Sequence, residues 1–145
     1  MADRAAFLAA IDEAYRLRTA GDKAALQAHL AADAQFHLVG DASLMPNVAT
    51  GPGHAAPTIE ALIDTFVFHE REQLNAVVEG DKAAVHWRLT VSRPGGRRVT
   101  TELYDLWTMD DDGKLASLLQ FADTALVAQL MSEGASGPSR ESLEA

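Results

Sequence analysis

The sequence predicts one α+β domain, in which a strongly curved antiparallel sheet wraps around a helix and leaves a cone open at one end. Apolar residues recur with a helical period in much of the first half, and from about residue 71 they alternate with period 2. Three turn-type segments divide the alternating half into four strand-like runs: Glu79-Gly80-Asp81, Arg93-Pro94-Gly95-Gly96 and Asp110-Asp111-Asp112-Gly113. Such short connections join antiparallel neighbours, which argues against a doubly wound parallel sheet.

The first element is predicted to be an amphipathic helix over residues 3–20, capped by Asp3 and ended by Gly21. Its apolar residues form one stripe: Phe7, Leu8, Ile11 and Tyr15. Its charged residues are predicted to lie off that stripe: Asp12, Arg16 and Arg18. A second, short helix is predicted at 23–31 after the N-cap Asp22.

A short strand is predicted at 35–39, followed by an irregular segment at 40–56 that is rich in Gly, Pro, Asn and Ala. A loop of this length inside a compact domain is often functional, for instance as a lid. A third helix is predicted to begin at Pro57, because proline suits the first turn of a helix. Its apolar residues follow at i, i+3, i+4 and i+7: Ile59, Leu62, Ile63 and Phe66.

The four alternating runs predict strands at 71–79, 82–92, 98–109 and 114–122. A final helix is predicted from Thr124 to Met131 after the N-cap Asp123, so that the domain spans residues 1–131. Residues 132–145 contain Gly, Ser, Pro and charges without an apolar period. They are predicted to form a flexible C-terminal tail.

Composition excludes several classes of function. The chain has 145 residues, 48% of them hydrophobic, a net charge of −9 and no cysteine. Disulfides, a thiol nucleophile and Cys-containing zinc sites are therefore excluded, and the acidic balance argues against nucleic acid as a partner. Charges interrupt the apolar run near the N-terminus, and no apolar run is long enough to cross a membrane, so we expect a cytoplasmic protein with no membrane partner.

Several short motifs follow one another in an order that is typical of one superfamily. They are Gly21-Asp22, Leu30-Ala31-Ala32-Asp33-Ala34, Phe36-His37-Leu38-Val39-Gly40, Gly80-Asp81-Lys82-Ala83-Ala84-Val85 and Asp112-Gly113-Lys114-Leu115. Over residues 5–131 this order resembles the nuclear transport factor 2-like superfamily, in its SnoaL-like or ketosteroid-isomerase-like branch. The resemblance implies the cone-shaped fold but no single activity, because the superfamily includes isomerases, dehydratases, cyclases, epoxide hydrolases and non-catalytic binders.

The resemblance also implies which catalytic groups are present. Ketosteroid isomerases have an Asp base where this sequence has Leu38, and an oxyanion-binding Tyr where it has Ala14. Tyr15 is one residue out of register, so its hydroxyl is expected to point elsewhere. Their second oxyanion donor, a protonated Asp, is matched by Asp105. Epoxide hydrolases of this fold have an Asp where this sequence has Gln120, so neither established chemistry is expected.

His37 is the first candidate catalytic residue. The run Phe36-His37-Leu38-Val39-Gly40 resembles a Trp-His-Val-Pro-Gly type motif of SnoaL-like proteins, in which the His is a pocket residue. An imidazole suits acid–base chemistry near neutral pH. If Phe36 and Leu38 face the core, however, strand alternation turns His37 outward.

Asp105 and Gln120 are the other two candidates. Asp105 faces inward if Leu103 and Trp107 do, and a buried carboxyl without a partner has a raised pKa and donates a hydrogen bond as the neutral acid. The alternative is an exposed or interface Asp paired with a basic neighbour such as Arg88. Gln120 on the last strand would orient a ligand carbonyl or hydroxyl.

A set of apolar and aromatic residues is predicted to form either plain core or the wall of a cavity. These candidate pocket-lining residues are Tyr15, Phe36, Leu38, Phe66, Trp87, Leu89, Leu103, Trp107 and Leu118. If Asp105 faces inward, Glu102 and Tyr104 lie on the outer face of the sheet, where folds of this superfamily commonly dimerise.

The expected function is binding of a small apolar or polyketide-like molecule in the cone by a homodimer. The first hypothesis is a cofactor-independent isomerase, cyclase or dehydratase, with no metal, in which His37 is the base or acid, Asp105 the hydrogen-bond donor and Gln120 the orienting group. The alternative is a non-catalytic ligand-binding or dimerisation module.

Overall fold

Six strands form one curved, open sheet, and four helices accompany it in the computed structural model, which describes residues 3–45 and 48–133. The elements before the long hairpins are α1 (Arg4–Ala20), α2 (Lys23–Ala28), β1 (Leu30–Leu38), β2 (Gly53–His54) and α3 (Ala55–Thr65). Those that follow are β3 (Val67–Glu79), β4 (Lys82–Ser92), β5 (Val99–Met109), β6 (Leu115–Ala122) and α4 (124–133). The predicted cone-shaped α+β class is confirmed.

Helix α1 has both predicted caps. The Asp3 carboxylate accepts a hydrogen bond from the backbone N–H of Ala6 at 2.9 Å, and Gly21 ends the helix in the left-handed conformation with φ 74°. Its stripe of Phe7, Ile11 and Tyr15 is buried against the sheet side of the molecule. This stripe fixes the rotation of α1 about its axis, which decides where Tyr15 points.

The strand order is β2-β1-β6-β5-β4-β3, and only the β1–β6 pair is parallel among the described strands. Antiparallel hairpins join β3 to β4, β4 to β5 and β5 to β6. Strands β1 and β6 can pair in parallel because the long stretch of chain from β2 to β5 connects them, whereas a hairpin joins only antiparallel strands. It places Leu38 beside Gln120 and so brings the first and last strands to one cavity wall.

Several predicted boundaries are wrong where strand pairing overrides the local pattern. Helix α2 stops at Ala28 rather than at residue 31, because Leu30 already pairs with Leu115 and starts β1 five residues early. Strand β3 starts at Val67 rather than 71, since it pairs with the end of β4. The irregular segment 40–56 contains the two-residue strand β2, and α3 begins at Ala55 rather than at Pro57.

The C-terminal part of the fold is helix α4, which Asp123 caps through the backbone N–H of Leu126 at 3.1 Å. The helix runs through residue 133, so the first two residues of the predicted tail are helical. The rest of that tail, 134–145, lies outside the described residues. No helix within the described ranges is long and apolar enough to cross a bilayer.

Candidate active site

A cavity of about 110 Å³ lies between the concave face of the sheet and the helices. Leu126, Val127 and Leu130 of α4 contribute to its wall, as do residues of α1 and α3. Eight of the nine predicted pocket-lining residues line it: Tyr15, Phe36, Leu38, Phe66, Leu89, Leu103, Trp107 and Leu118. Trp87 does not line it, because its indole packs against the Tyr15 ring from behind, with 4.3 Å between the ring centroids.

The polar end of this cavity is built around Asp105. Strand β5 alternates so that Leu103, Asp105 and Trp107 face inward, and the Asp105 side chain is fully buried at 0% exposure. Its Oδ2 accepts hydrogen bonds from the Tyr15 hydroxyl and, at 3.3 Å, from the indole N–H of Trp107. The sequence alternative of an exposed Asp105 paired with Arg88 is wrong, since Arg88 binds Glu72 on the outer side.

The expectation that the Tyr15 hydroxyl points elsewhere is also wrong. Tyr15 continues the buried stripe of Phe7 and Ile11 at a spacing of four residues, so its side chain enters the core and its hydroxyl donates to Asp105. The one-residue offset from the ketosteroid-isomerase position therefore does not exclude Tyr15 from the site. The helical period of α1 was the sequence signal that favoured this placement.

Gln120 completes the cluster from the neighbouring strand. In the antiparallel register of β5 and β6, Gln120 lies directly opposite Asp105. Its Nε2 donates to Asp105 Oδ1 at 3.1 Å and to the Tyr15 hydroxyl oxygen at 3.3 Å. Gln120 also lines the cavity, whereas Asp105 lies behind it and Tyr15.

The protonation of this cluster is set by burial. Burial raises the pKa of Asp105 from an ordinary 3.8 to about 6, against the opposing hydrogen bonds from Tyr15, Gln120 and Trp107. Burial and the neighbouring Asp105 carboxylate raise the pKa of Tyr15 well above its ordinary value. At neutral pH the pair is therefore a buried carboxylate that holds the proton of a neutral phenol.

His37 does not join this cluster. Phe36 and Leu38 are buried and line the cavity, so strand alternation places His37 on the other face of β1, opposite Leu119 of β6. Of the three candidate catalytic residues, the structure brings Asp105 and Gln120 together and leaves His37 apart.

Arg18 is a polar cavity residue that sequence reasoning missed, because its place off the apolar stripe suggested a solvent-exposed side chain. It lies one helical turn beyond Tyr15 and lines the same cavity. The spacing of three residues, which puts two side chains on one side of a helix, was the available signal.

The fold and site define a class of protein: a small α+β cone whose apolar cavity ends in a buried cluster of acid, phenol and amide groups. The model of the SnoaL-like domain family matches residues 11–118, and the chain therefore belongs to the SnoaL-like family. A search of the curated proteins found no significant match.

Solved structures show the same fold at low sequence identity. A nuclear transport factor 2-like protein of unknown function from Burkholderia pseudomallei is 18% identical, with a TM-score of 0.69, over 87% of this chain and 97% of that one. The protein TerC, co-crystallised with polyporic acid, is 16% identical, with a TM-score of 0.71, over 88% of this chain and 98% of that one. The epoxide hydrolase/cyclase-like enzyme SalBIII, which has a role in pyran ring formation in the polyether salinomycin, is 17% identical, with a TM-score of 0.68, over 86% and 96%.

Proposed function

We propose that this protein binds a small, mostly apolar molecule in its cavity and moves a proton on it without a cofactor. The observation that carries the proposal is the buried Tyr15–Asp105 hydrogen bond at the polar end of an otherwise apolar cavity. A carboxyl whose pKa lies near 6 is suited to general base catalysis close to neutral pH. Structural relatives that include an epoxide hydrolase/cyclase-like enzyme agree with a small-molecule role.

The proposed step uses Tyr15 as the group that touches the ligand. The phenol oxygen accepts a proton from an acidic C–H or O–H of the ligand while the phenol proton passes to Asp105 Oδ2. The ligand is left as an enolate or alkoxide, Tyr15 is again neutral, and Asp105 is a neutral acid. The reverse transfer to another ligand atom completes an isomerisation or cyclisation. His37 has no part in this step.

Gln120 positions both partners. From β6, its Nε2 donates to the Asp105 carboxylate on β5 and to the Tyr15 hydroxyl oxygen on α1, and so holds both groups in place. Because Nε2 is occupied by these two acceptors, the amide oxygen of Gln120 is the part of the group available to a ligand hydroxyl.

Hydrogen–deuterium exchange at the methyl carbon of acetophenone tests the proposal without knowledge of the natural substrate. We expect the wild type to accelerate exchange, followed by proton NMR in D₂O, and the Asp105→Asn and Tyr15→Phe variants to lose about 10²-fold of that acceleration. Glu102→Gln and Tyr104→Phe are the matched controls on the outer face of β5, and neither should change the rate. Equal rates in wild type and Asp105→Asn would rule out this base.

Non-catalytic binding is the second candidate, and the burial of Asp105 favours it. Asp105 has no surface of its own in the cavity, so every proton that it takes must pass through Tyr15. In a pure binding protein the cluster would serve only to recognise a polar group on the ligand. Saturable NMR shifts with acetophenone, without any accelerated exchange, would select this candidate.

The proposal includes a homodimer through the outer face of the sheet. Tyr104 and Phe121 are exposed at 44% and 47% and lie directly opposite each other on β5 and β6. The His86 ring stacks on Tyr104 with 5.6 Å between centroids, which extends this aromatic surface. Light scattering should give twice the 15.5 kDa chain mass for the wild type, and a monomer for Tyr104→Glu. A monomeric wild type would exclude the dimer.

A further inference from the structure

Arg18 is a cation built into the wall of an apolar cavity. Its guanidinium lies over the Phe68 ring, with 3.8 Å from Cζ to the ring centroid. Its Nη2 donates to the backbone carbonyls of Leu62 at 3.0 Å and Phe66 at 2.8 Å. These two carbonyls lie at the C-terminal end of α3, which carries partial negative charge, and the Leu62 carbonyl also accepts the backbone N–H of Phe66.

No carboxylate of the described residues forms an ion pair with Arg18. Asp64 is close enough to act on Arg18 through space, but its carboxylate binds Lys23 Nζ at 2.8 Å. Asp123 lines the same cavity, and its carboxylate accepts the backbone N–H of Leu126 at the start of α4. Within the described residues, the Arg18 guanidinium therefore has direct contacts with backbone carbonyls and the Phe68 ring, and no carboxylate binds it.

The guanidinium stays charged at neutral pH. Burial lowers the pKa of Arg18 to about 10, which is still well above 7. A guanidinium has five N–H donors, and the two contacts of Arg18 within the described residues both come from Nη2. Nε and Nη1 thus retain donors for a molecule in the cavity, and each can donate a charge-assisted hydrogen bond to a carboxylate oxygen.

We propose that Arg18 is the anion-recognition group of this cavity and that the ligand carries a carboxylate on a small apolar body. This inference rests on the proposed function, because it assumes that the cavity binds a ligand. The two polar groups on α1 then have different roles: Tyr15 faces the reacting atom, and Arg18 binds the anionic group of the same ligand. The cavity of about 110 Å³ is smaller than a cavity of about 150 Å³ that holds benzene, so the apolar body that it encloses is no larger than one ring.

The test compares benzoate with acetophenone, which have nearly the same shape and differ in charge. NMR titration should give wild-type protein a dissociation constant for benzoate about tenfold lower than for acetophenone. Arg18→Gln should remove this preference by weakening benzoate alone. Arg16→Gln is the matched control, since Arg16 lies on the same helix, is exposed and pairs with Glu13, so its substitution should leave both constants unchanged.

The outcomes separate the inference from the proposed function. If wild type binds acetophenone as tightly as benzoate, the inference is overturned and the proposed function stands. Binding of neither probe would overturn both. A merely structural Arg18 would weaken the two probes alike in Arg18→Gln, or leave the preference for benzoate in place, and either result overturns the inference. If Arg18→Gln does not fold, Arg18→Lys is used, and a reduced preference for benzoate with unchanged acetophenone binding supports the inference.

Discussion

The two faces of strand β5 carry two carboxylates, three residues apart, in opposite environments. Asp105 faces the core, has 0% exposure and accepts hydrogen bonds from three different side chains. Glu102 faces outward, has a side chain 54% exposed, and binds the His86 imidazole at 2.6 Å. The comparison shows that the face of the strand on which an acid lies decides whether it is solvent-exposed or buried. A shift of one residue in strand register would exchange the two faces.

Removal of the inner carboxylate should have the largest effect on stability. Asp105→Ala leaves the Tyr15 hydroxyl and the Trp107 indole without their acceptor, removes one of the two acceptors of the Gln120 amide, and also leaves a void. We expect the free energy of unfolding to fall by about 4 kcal/mol. Urea denaturation at pH 5 measures this, since the carboxyl is then largely protonated and its removal relieves no buried charge. The outer-face control Glu102→Ala should change it by less than about 0.5 kcal/mol, and equal losses in both variants would contradict the comparison.

The inner carboxylate should also make stability depend on pH. Because burial raises the pKa of Asp105 from 3.8 to about 6, the folded state holds this proton more tightly than the unfolded chain does. The stabilisation of the folded state by the protonated Asp105 carboxyl is complete below about pH 4. It is lost as the pH rises through about 6. Relative to Asp105→Asn, the wild type should therefore lose about 3 kcal/mol over this window. Urea denaturation at a series of pH values gives the difference, and a difference that stays constant would show that the pKa is not raised.

Removal of the Tyr15 hydroxyl should have a smaller effect on stability than removal of the Asp105 carboxylate. Its effect on the pKa of Asp105 tests whether Tyr15 is a hydrogen-bond donor to that carboxylate. Tyr15→Phe removes one buried hydrogen bond and should lower the free energy of unfolding by about 1 kcal/mol. It should also raise the pKa of Asp105 further, because the Tyr15 hydrogen bond is the largest influence that lowers it. Carboxyl-carbon NMR titration measures the shift. Tyr104→Phe on the outer face is the control, and a fall in the pKa of Asp105 in Tyr15→Phe would refute the donor role of Tyr15.

The His86–Glu102 pair on the outer face of the sheet should contribute least to the free energy of unfolding. A double-mutant cycle on His86 and Glu102 should give a coupling of at most about 1 kcal/mol, since both side chains are open to solvent. Added salt should reduce the coupling because ions screen exposed charges. A coupling as large as the Asp105→Ala effect would mean that the outer face is not an ordinary solvent-exposed surface.

Much of the fold could be predicted from the sequence, and the errors in the predicted element boundaries have a common cause. The caps at Asp3, Gly21 and Asp123 and the turns between the long strands depend on residues adjacent in sequence, and these predictions were right. The start of β1 at Leu30 was missed because its partner, Leu115, is 85 positions away in the chain. Pairing over that distance leaves no local pattern to detect.

The features of the candidate site also fall into two groups, those that the local sequence predicts and those that depend on contacts between distant parts of the chain. The sequence alone determined that an acid at position 105, with Leu103 and Trp107 beside it, faces the core if its strand does, because alternation is a local property of the backbone. It also determined the apolar character of the cavity wall. Only the tertiary structure decided that His37 faces away, that Tyr15 donates to Asp105, and that Arg18 enters the same cavity. These facts depend on the rotation of α1 and on the parallel pairing of β1 with β6, both of which are set by packing between parts of the chain that are distant in sequence.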